Sequence, residues 1–316
     1  MDRRARGRHH QRLCSIGGRS SHLDTCSTPQ GHAMNDMPAH DRHQEDVMEE
    51  HIGSATLLGH GRTAEVYAWK ENSALKLFVP GFPSTLIDQE VEGTRAANAA
   101  GVPSPQLRDV ITVDGRRGLV LERLTGHSML SLLAREPMRV THYAGIFAEL
   151  QARIHDCHVP GLTSRREDLA RRIARAGAVA RVKGDALAVL ERLPDGDRLC
   201  HCDFHPDNVL MTPQGPSIID WSFAARGTPA SDAARTALLL RIADAPPGSF
   251  RVAWVEREAK DRFYRAWLKR YHELQPDAAD AMWSWLLPVA VARLADDIPE
   301  ERPRLMVLIE ELQQKR

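Results

Sequence analysis

The sequence predicts an α+β protein of two unlike lobes, a small antiparallel β-sheet lobe carrying one helix and a larger, mainly helical lobe. Three observations carry the prediction. From Ile52 to Glu122, short β-prone runs alternate with turn residues. After Gly126 the apolar residues recur at three-four spacing. One dense polar cluster, in "LCHCDFHPDNVLMTPQGPSIIDW" from Leu199 to Trp221, then breaks the helical pattern with two short apolar strands.

The 316-residue chain opens with residues 1–47, which are rich in Arg, His, Ser and Gly and almost free of apolar periodicity. Such a segment has too little apolar surface to offset its ordering entropy, and it predicts a disordered extension. Its basic start lacks an apolar h-region, which argues against a secretory signal. Its histidines have no packed scaffold to set them at metal-ligand spacing. Residues 48–124 form the β-rich lobe. In "ATLLGHGRTAEVYAWKENSALKLFV" a turn at Lys70–Ser73 joins two strands. "FPSTLIDQEVEGTRAANAAG" reads as a helix with Ser84 as its cap and Gly101 as its stop. Asp114-Gly115 marks a hairpin within "LRDVITVDGRRGLVLERL". The lobe is thus a sheet of about five strands with one inserted helix.

A linker at Glu122–Gly126 leads into the helical lobe, residues 125–316. There "SMLSLLARE", "THYAGIFAELQARIHDC" and "RREDLARRIARAGAVARVKGDALAVLERL" carry the helical spacing. Helices return from Ser231, interrupted at Pro246-Pro247-Gly248, Pro276 and Pro303.

Lys plus Arg and Asp plus Glu number 42 each, so no global field points to nucleic acid or an anionic membrane. No apolar run reaches the roughly 20 residues of a bilayer span. The most apolar one, "AMWSWLLPVAVARLA" from Ala281, is short, contains Pro288, and reads as buried helix. The five cysteines, Cys14, Cys26, Cys157, Cys200 and Cys202, are odd in number and unpatterned, as reduced thiols of a cytoplasmic protein would be.

Chemistry concentrates in three places. "GHGRTAEV" sets Gly59 and Gly61 between strands, where backbone N–H groups can come close to a phosphate; the competing reading is a plain hairpin turn. In "SALKLFV" Lys76 sits among apolar strand residues. It is either an edge lysine reaching solvent or a phosphate-binding lysine paired with a carboxylate of the following helix, Glu90 or its competitor Glu92. The polar cluster supplies Asp203, Asn208 and Asp220. Phosphoryl transfer is mostly positioning and charge stabilisation and needs a carboxylate near the acceptor hydroxyl plus oxygen ligands for Mg²⁺. Asp203 as base, with Asn208 and Asp220 as ligands, meets that need. Zinc at Cys200, His201, Cys202, Asp203 and His205 fits less well, because alternate strand residues face opposite ways. An Asp- and Asn-rich turn with no chemistry is the plain alternative. His201 reads as a brace of the loop.

"HCDFHPDNVL" followed by "IIDW", with "GHGRTAEVY" and "ALKLF" upstream, resembles the aminoglycoside phosphotransferase and choline kinase-like family, relatives of the protein kinases. The resemblance runs from about Gly53 to Leu240 and implies a protein kinase-like bilobal fold. It also implies ATP (with GTP the alternative) and Mg²⁺ as cofactors. Residue by residue, it implies Asp203 as the catalytic-loop aspartate, Asn208 and Asp220 as metal ligands and Lys76 as the nucleotide-phosphate lysine. Glu90, eleven residues before the glycine of "GVP", would be its partner. Leu121–Leu124 would be the hinge that meets adenine, so Glu122 and Leu124 join Gly59 and Gly61 as cofactor-binding positions. Asp232 would brace the catalytic loop; its alternative is an ordinary helix N-terminal charge. Two residues depart from the family pattern: Cys202 stands where a glycine is usual, and Ala64 replaces the third glycine. No Arg precedes Asp203 and no APE follows Asp220, which argues against a protein-kinase activation segment.

The acceptor is expected to be a hydroxyl of a small molecule, with no nucleic acid, membrane or obligate protein partner. An aminoglycoside would call for acids, and Asp244, Glu256, Glu258, Asp261 and Glu273 are interleaved with Arg251, Arg257, Lys260, Arg262 and Arg265, the pattern of a solvated face. A choline-like acceptor would call for an aromatic cage from Trp254, Trp267, Trp283 and Trp285, yet Trp283 and Trp285 cannot share a helix face. A nucleotide-binding pseudokinase and a kinase acting on protein are the alternative functions.

Overall fold

The computed structural model describes residues 51–242 and 257–315. The expected disorder of residues 1–47 and the break at Pro246-Pro247-Gly248 lie outside them. The sheet has five strands, β1 (Leu57–His60), β2 (Ala64–Trp69), β3 (Ser73–Phe78), β4 (Leu107–Val113) and β5 (Arg116–Glu122). All pairs are antiparallel, in the order β1-β2-β3-β5-β4. Both expected hairpins form. Glu71 and Asn72 in one turn, and Asp114 and Gly115 in the other, take positive φ, as tight hairpins with right-handed twist require.

Strand β3 is central, so both of its edges are paired, and both of its faces are covered as well. Leu75 and Leu77 pack with Val113 and Val120 on one side. On the other side Phe78 packs with Ile87 and Val91 of the single helix of this lobe, α1 (Ser84–Ala99). The period of two along a strand therefore aims Lys76, between Leu75 and Leu77, toward α1. Ser84 is not the cap of that helix: Pro83 precedes it with φ −59° and no side-chain cap bond forms. A preset proline φ starts the turn instead. Gly101 does end it, at φ +68°, with Val102 N–H donating to Ala97 O at 3.1 Å and Gly101 N–H to Asn98 O at 3.1 Å.

The helical lobe contains α2 (Met129–Arg135), α3 (Val140–His155), α4 (Arg165–Arg175), α5 (Ala180–Arg192), α6 (Pro229–Ile242), α7 (Arg257–Leu274), α8 (Pro276–Arg293) and α9 (Arg302–Gln314). The long helical stretch after Arg165 is two helices. Ile173 and Val182 are both core residues but lie nine positions apart, about half a turn out of phase in a continuous helix. The break at residues 176–179 lets both stripes reach one core. Pro276 and Pro303 fall in the first turns of α8 and α9, starting helices as much as ending them. Pro288 lies inside α8, which is buried from Trp285 to Arg293. Among the described residues, no helix is long and apolar enough to cross a membrane.

The two strands expected inside the polar cluster are β8 (Val209–Thr212) and β9 (Gly215–Ile218). Three further short strands were not foreseen: β6 (His127–Ser128), β7 (Arg198–Cys200) and β10 (Ala225–Gly227). Strand β6 pairs with β8, and so fastens the segment after the linker to the hairpin that follows Asn208. Strand β7 pairs with β10 and holds the two ends of the cluster together. Helix α6 is buried on nearly every side and runs beneath the cluster.

Candidate active site

Lys76 and α1 define one side of the site. Its ammonium donates to Glu90 Oε1 at 2.6 Å and to Asp220 Oδ1 at 3.1 Å. Glu90, not Glu92, is the partner, and its side chain is 3% exposed. Burial opposes the charge on Lys76, but the Asp220 and Glu90 carboxylates outweigh it and hold the ammonium above its ordinary pKa. Burial dominates at Glu90 and raises its carboxyl. Ser222, which sequence reasoning missed, places its hydroxyl between Glu90 Oε2, at 2.7 Å, and Asp220 Oδ1.

Backbone geometry explains why Asp220 can reach Lys76. Ile218 N–H donates to Pro103 O at 2.7 Å and Ile219 N–H to Asn208 O at 3.0 Å, which ties the end of β9 to the residues after α1. The indole of Trp221, buried, donates to Ser104 Oγ at 2.9 Å. Asp220 itself takes φ +65°, a conformation Asp tolerates better than most residues. At Gly93 a Cβ would stand 2.6 Å from both Trp221 O and Ala224 Cβ. Glycine at this point lets α1 lie directly on the segment carrying Asp220 and Ser222.

The loop from His201 to Phe204 is held by one face of α6. Asp232 accepts from Cys202 N–H at 2.6 Å and His201 N–H at 3.3 Å, and faces His155 Nε2 at 2.9 Å. Arg235, three residues on, donates through Nε to Cys202 O at 3.2 Å and through Nη2 to Asp203 Oδ1 at 3.2 Å. Thr236 donates to Phe204 O at 3.2 Å. Burial raises Asp232, yet His155 keeps its carboxyl below the usual range. Cys202 adopts φ +64°, so the site uses the glycine-like conformation with a residue that pays for its Cβ.

His201 braces the loop as expected: its Nε2 lies 3.1 Å from Ile219 O, and Asp203 N–H donates to its Nδ1 at 3.3 Å. That pair of bonds suits the neutral ring, and burial lowers its pKa accordingly. Asp203 faces His205 Nε2 at 3.5 Å on one side and Arg235 on the other. Burial pushes its carboxyl up, but His205 and Arg235 hold it well below the ordinary carboxylate range. Asn208 Nδ2 donates to Asp203 O at 3.0 Å. This orients the amide and leaves its oxygen as the ligand-capable atom. Burial raises Asp220 and Lys76 lowers it, with a net lowering. Asp203 and Asp220 are near enough for the charge of one to oppose ionisation of the other.

Cys200 and Cys202 pack together with Ala225, but His201 does not join them. The Cys200 thiol is directed to Thr228 O and Ser231, and His201 to Ile219 O. Among the described residues, no group of three or more His, Cys, Asp or Glu could hold a metal ion.

Gly59 lies within β1 and Gly61 just after it; Gly61 N–H is taken by Ala64 O at 2.8 Å. Ala64 is a buried residue of β2 at ordinary φ, so no glycine is needed there. At the linker, Glu122 N–H donates to Gln106 O at 2.8 Å and Arg123 N–H to Asn72 O at 3.0 Å. Of the acceptor-site candidates, Trp267 and Trp285 are core residues, and the Trp267 indole donates to Gln151 at 2.9 Å. Trp283, Glu258, Asp261 and Glu273 are exposed on helix surfaces. Asp244, Arg251, Trp254 and Glu256 lie outside the described residues. A groove of about 660 Å³ between α4 and α5 is lined by Glu167, Ala170, Leu187 and Glu191 and contains none of the residues of the cluster.

Comparison with solved structures places this geometry on a known fold. An aminoglycoside-3'-phosphotransferase of type VIII superimposes with a TM-score of 0.54 at 19% identity, over 77% of this chain and 92% of that one. The ADP-bound aminoglycoside phosphotransferase APH(2'')-Ib gives 0.51 at 14% identity, over 82% of this chain and 92% of that one. The fold is the α+β, protein kinase-like bilobal one. No curated protein matches the sequence. The model of the phosphotransferase enzyme family matches residues 54–271, and the chain belongs to that family.

Proposed function

We propose that the protein is an ATP- and Mg²⁺-dependent phosphotransferase that passes the γ-phosphate to a hydroxyl of a small molecule. The observation that carries this reading is the meeting of Lys76, Glu90 and Asp220, one from each of a strand, a helix and a loop, beside Asp203 and Asn208. Lys76 pairs with the nucleotide phosphates, and Glu90 with Ser222 holds it in place. Asn208 Oδ1 and the Asp220 carboxylate are hard oxygen donors, few enough to leave Mg²⁺ its phosphate and water ligands. The ion, when bound, neutralises charge on the phosphates.

Asp203 remains ionised at neutral pH and is therefore a weak base. Its role is to orient the acceptor hydroxyl and take its proton late, as a loose transition state requires. The backbone of Glu122–Leu124 meets the base, with GTP the alternative to ATP. The Gly59–Gly61 segment covers the phosphates. A side chain at Gly59 would meet nothing within 4 Å, so the protein's own packing does not require glycine there. Close approach of a ligand would. Free Cys157, Cys200 and Cys202 accord with a cytoplasmic enzyme.

Calorimetric titration of the full chain with ATP and GTP, with and without Mg²⁺, tests the reading beside Asp220→Ala. Mg²⁺-dependent binding that the variant loses is the expected result, followed by turnover with an aminoglycoside or amino alcohol acceptor. Undiminished Mg²⁺-dependent binding in Asp220→Ala would remove the metal-site assignment. Binding without turnover of any acceptor would favour a pseudokinase.

A further inference from the structure

Resting on that phosphotransfer reading, we infer that Arg235 is a positioning residue that fixes the carboxylate of Asp203 for the acceptor hydroxyl. Arginine at this point of α6 holds Asp203 from two directions at once. Its Nε binds the carbonyl of Cys202, the residue just before Asp203, and its Nη2 binds Asp203 Oδ1. A planar guanidinium with fixed donor directions thereby sets both the backbone preceding Asp203 and the rotamer of its side chain. The two grips are complementary. Cys202 at φ +64° is a point where the backbone would otherwise relax, and the Asp203 carboxylate is held by Arg235 at Oδ1 while Oδ2 lies 3.5 Å from His205.

Arg235 is itself held from behind. Its Nη2 also lies 3.4 Å from Asp296 Oδ2, in the turn after α8. Asp296 is shared with Arg293, at 2.8 Å, and with Arg172 of α4. Arg293 is in turn clamped by both oxygens of Glu301, at 2.7 and 2.8 Å. Burial first, and the charge of Arg293 second, lower Arg235 to about 10, which leaves it a cation at neutral pH. A buried cation so surrounded cannot swing away from Asp203. The network behind it draws on α4 through Arg172, on α8 and the turn after it through Arg293 and Asp296, and on Glu301 before α9, so the far end of the chain supports the reacting end of the site.

Transfer from MgATP by the full chain, to water alone and to a panel of aminoglycosides and amino alcohols, tests the role with Arg235→Met, Arg235→Lys and Asp203→Asn beside wild type. Misplacement of a reacting group by about an ångström costs on the order of a hundredfold in rate. Arg235→Met is therefore expected to lose about that factor in kcat, with KM for ATP changed less than about twofold, because the nucleotide side of the site is untouched. Arg235→Lys, which keeps the charge but grips one partner at a time, is expected to recover about tenfold of the loss at a melting temperature near wild type. If Arg235→Met turns over at the wild-type rate while Asp203→Asn does not, the positioning role is wrong and the phosphotransfer reading stands. If activity and melting temperature fall together in both Arg235 variants, the residue serves folding alone and the inference is overturned. If wild type and Asp203→Asn are indistinguishable, the phosphotransfer reading itself fails, and the inference with it.

Discussion

Lys76 and Asp220 are 144 residues apart in the chain, and their charged groups lie 3.1 Å apart. The contact exists because a central strand aims Lys76 at α1 and because β9 ends tied to the residues after α1. Glu90 closes the triangle at 2.6 Å from the same ammonium. Three parts of the fold therefore report on one another through a single cation.

The Lys76–Glu90 pair is almost fully buried, with side chains 11% and 3% exposed. Removing one member of such a pair leaves the other as an uncompensated buried charge, at a cost of about 3 kcal/mol or more. Lys76→Met is expected to lose about that much stability in urea unfolding, and the double variant with Glu90→Gln to recover part of it. An unchanged unfolding midpoint in Lys76→Met would show that the pair contributes nothing to the fold.

Gly93→Ala places a methyl group where Trp221 O and Ala224 Cβ already stand. Overpacking of this kind costs roughly 1–3 kcal/mol. The helix must move off the segment, so Glu90 should also separate from Ser222. Calorimetry should show weaker nucleotide binding together with a lower melting temperature; a variant that binds and melts like wild type would mean that α1 shifts freely.

Cys202 sits at φ +64° with its thiol buried. Glycine would relieve backbone strain of about 1–2 kcal/mol but lose the buried thiol and loosen the unfolded chain. Cys202→Gly is expected to change stability by less than about 1 kcal/mol, whereas β-branched Cys202→Val should cost about 3 kcal/mol, since it tolerates this backbone least. Thermal melting of the two variants decides the matter, and equal melting temperatures would contradict the account.

Asp232 and Asp296 are both held below the usual carboxylate range, against burial, Asp232 by His155 and Asp296 by Arg235, Arg172 and Arg293. A depressed carboxyl contributes stability that is complete above its unfolded pKa, about 3.9 for Asp. That contribution is lost as pH falls from there through the lower folded value. Stability should therefore hold through neutral and mildly acid pH and decline below about pH 4. Asp296→Asn should be less stable at pH 7 and show a shallower acid dependence. A melting curve against pH that is equally steep in wild type and variant would exclude Asp296 as a source.

Much of the site was legible in the sequence because its residues are out of place by local rules. A lysine inside "SALKLF" is costly unless paired, and the turns at Lys70–Ser73 and Asp114–Gly115 announce hairpins by residue type. Arg235 carried a similar signal that went unread: a charge three residues after Asp232, just ahead of the apolar run Ala237–Leu240 of a buried helix. Ser222 gave none, since a serine after "IIDW" has no local oddity. Ser84 was misread as the cap, and the split of α4 from α5 was not foreseen, because spacing within one segment does not reveal which face the core will claim.

By itself, the sequence determined the identities and local order of the parts: strand periodicity, turn chemistry, and the spacing of Asp203, Asn208 and Asp220. Only the tertiary structure decided which charges meet. Ion pairs and hydrogen bonds act over a few ångströms, whereas the partners Lys76 and Asp220, Cys202 and Asp232, and Asp203 and Arg235 are brought together by strand pairing and by a buried helix passing under a loop. Apolar burial sets those approaches, and it is a property of the whole chain rather than of any segment.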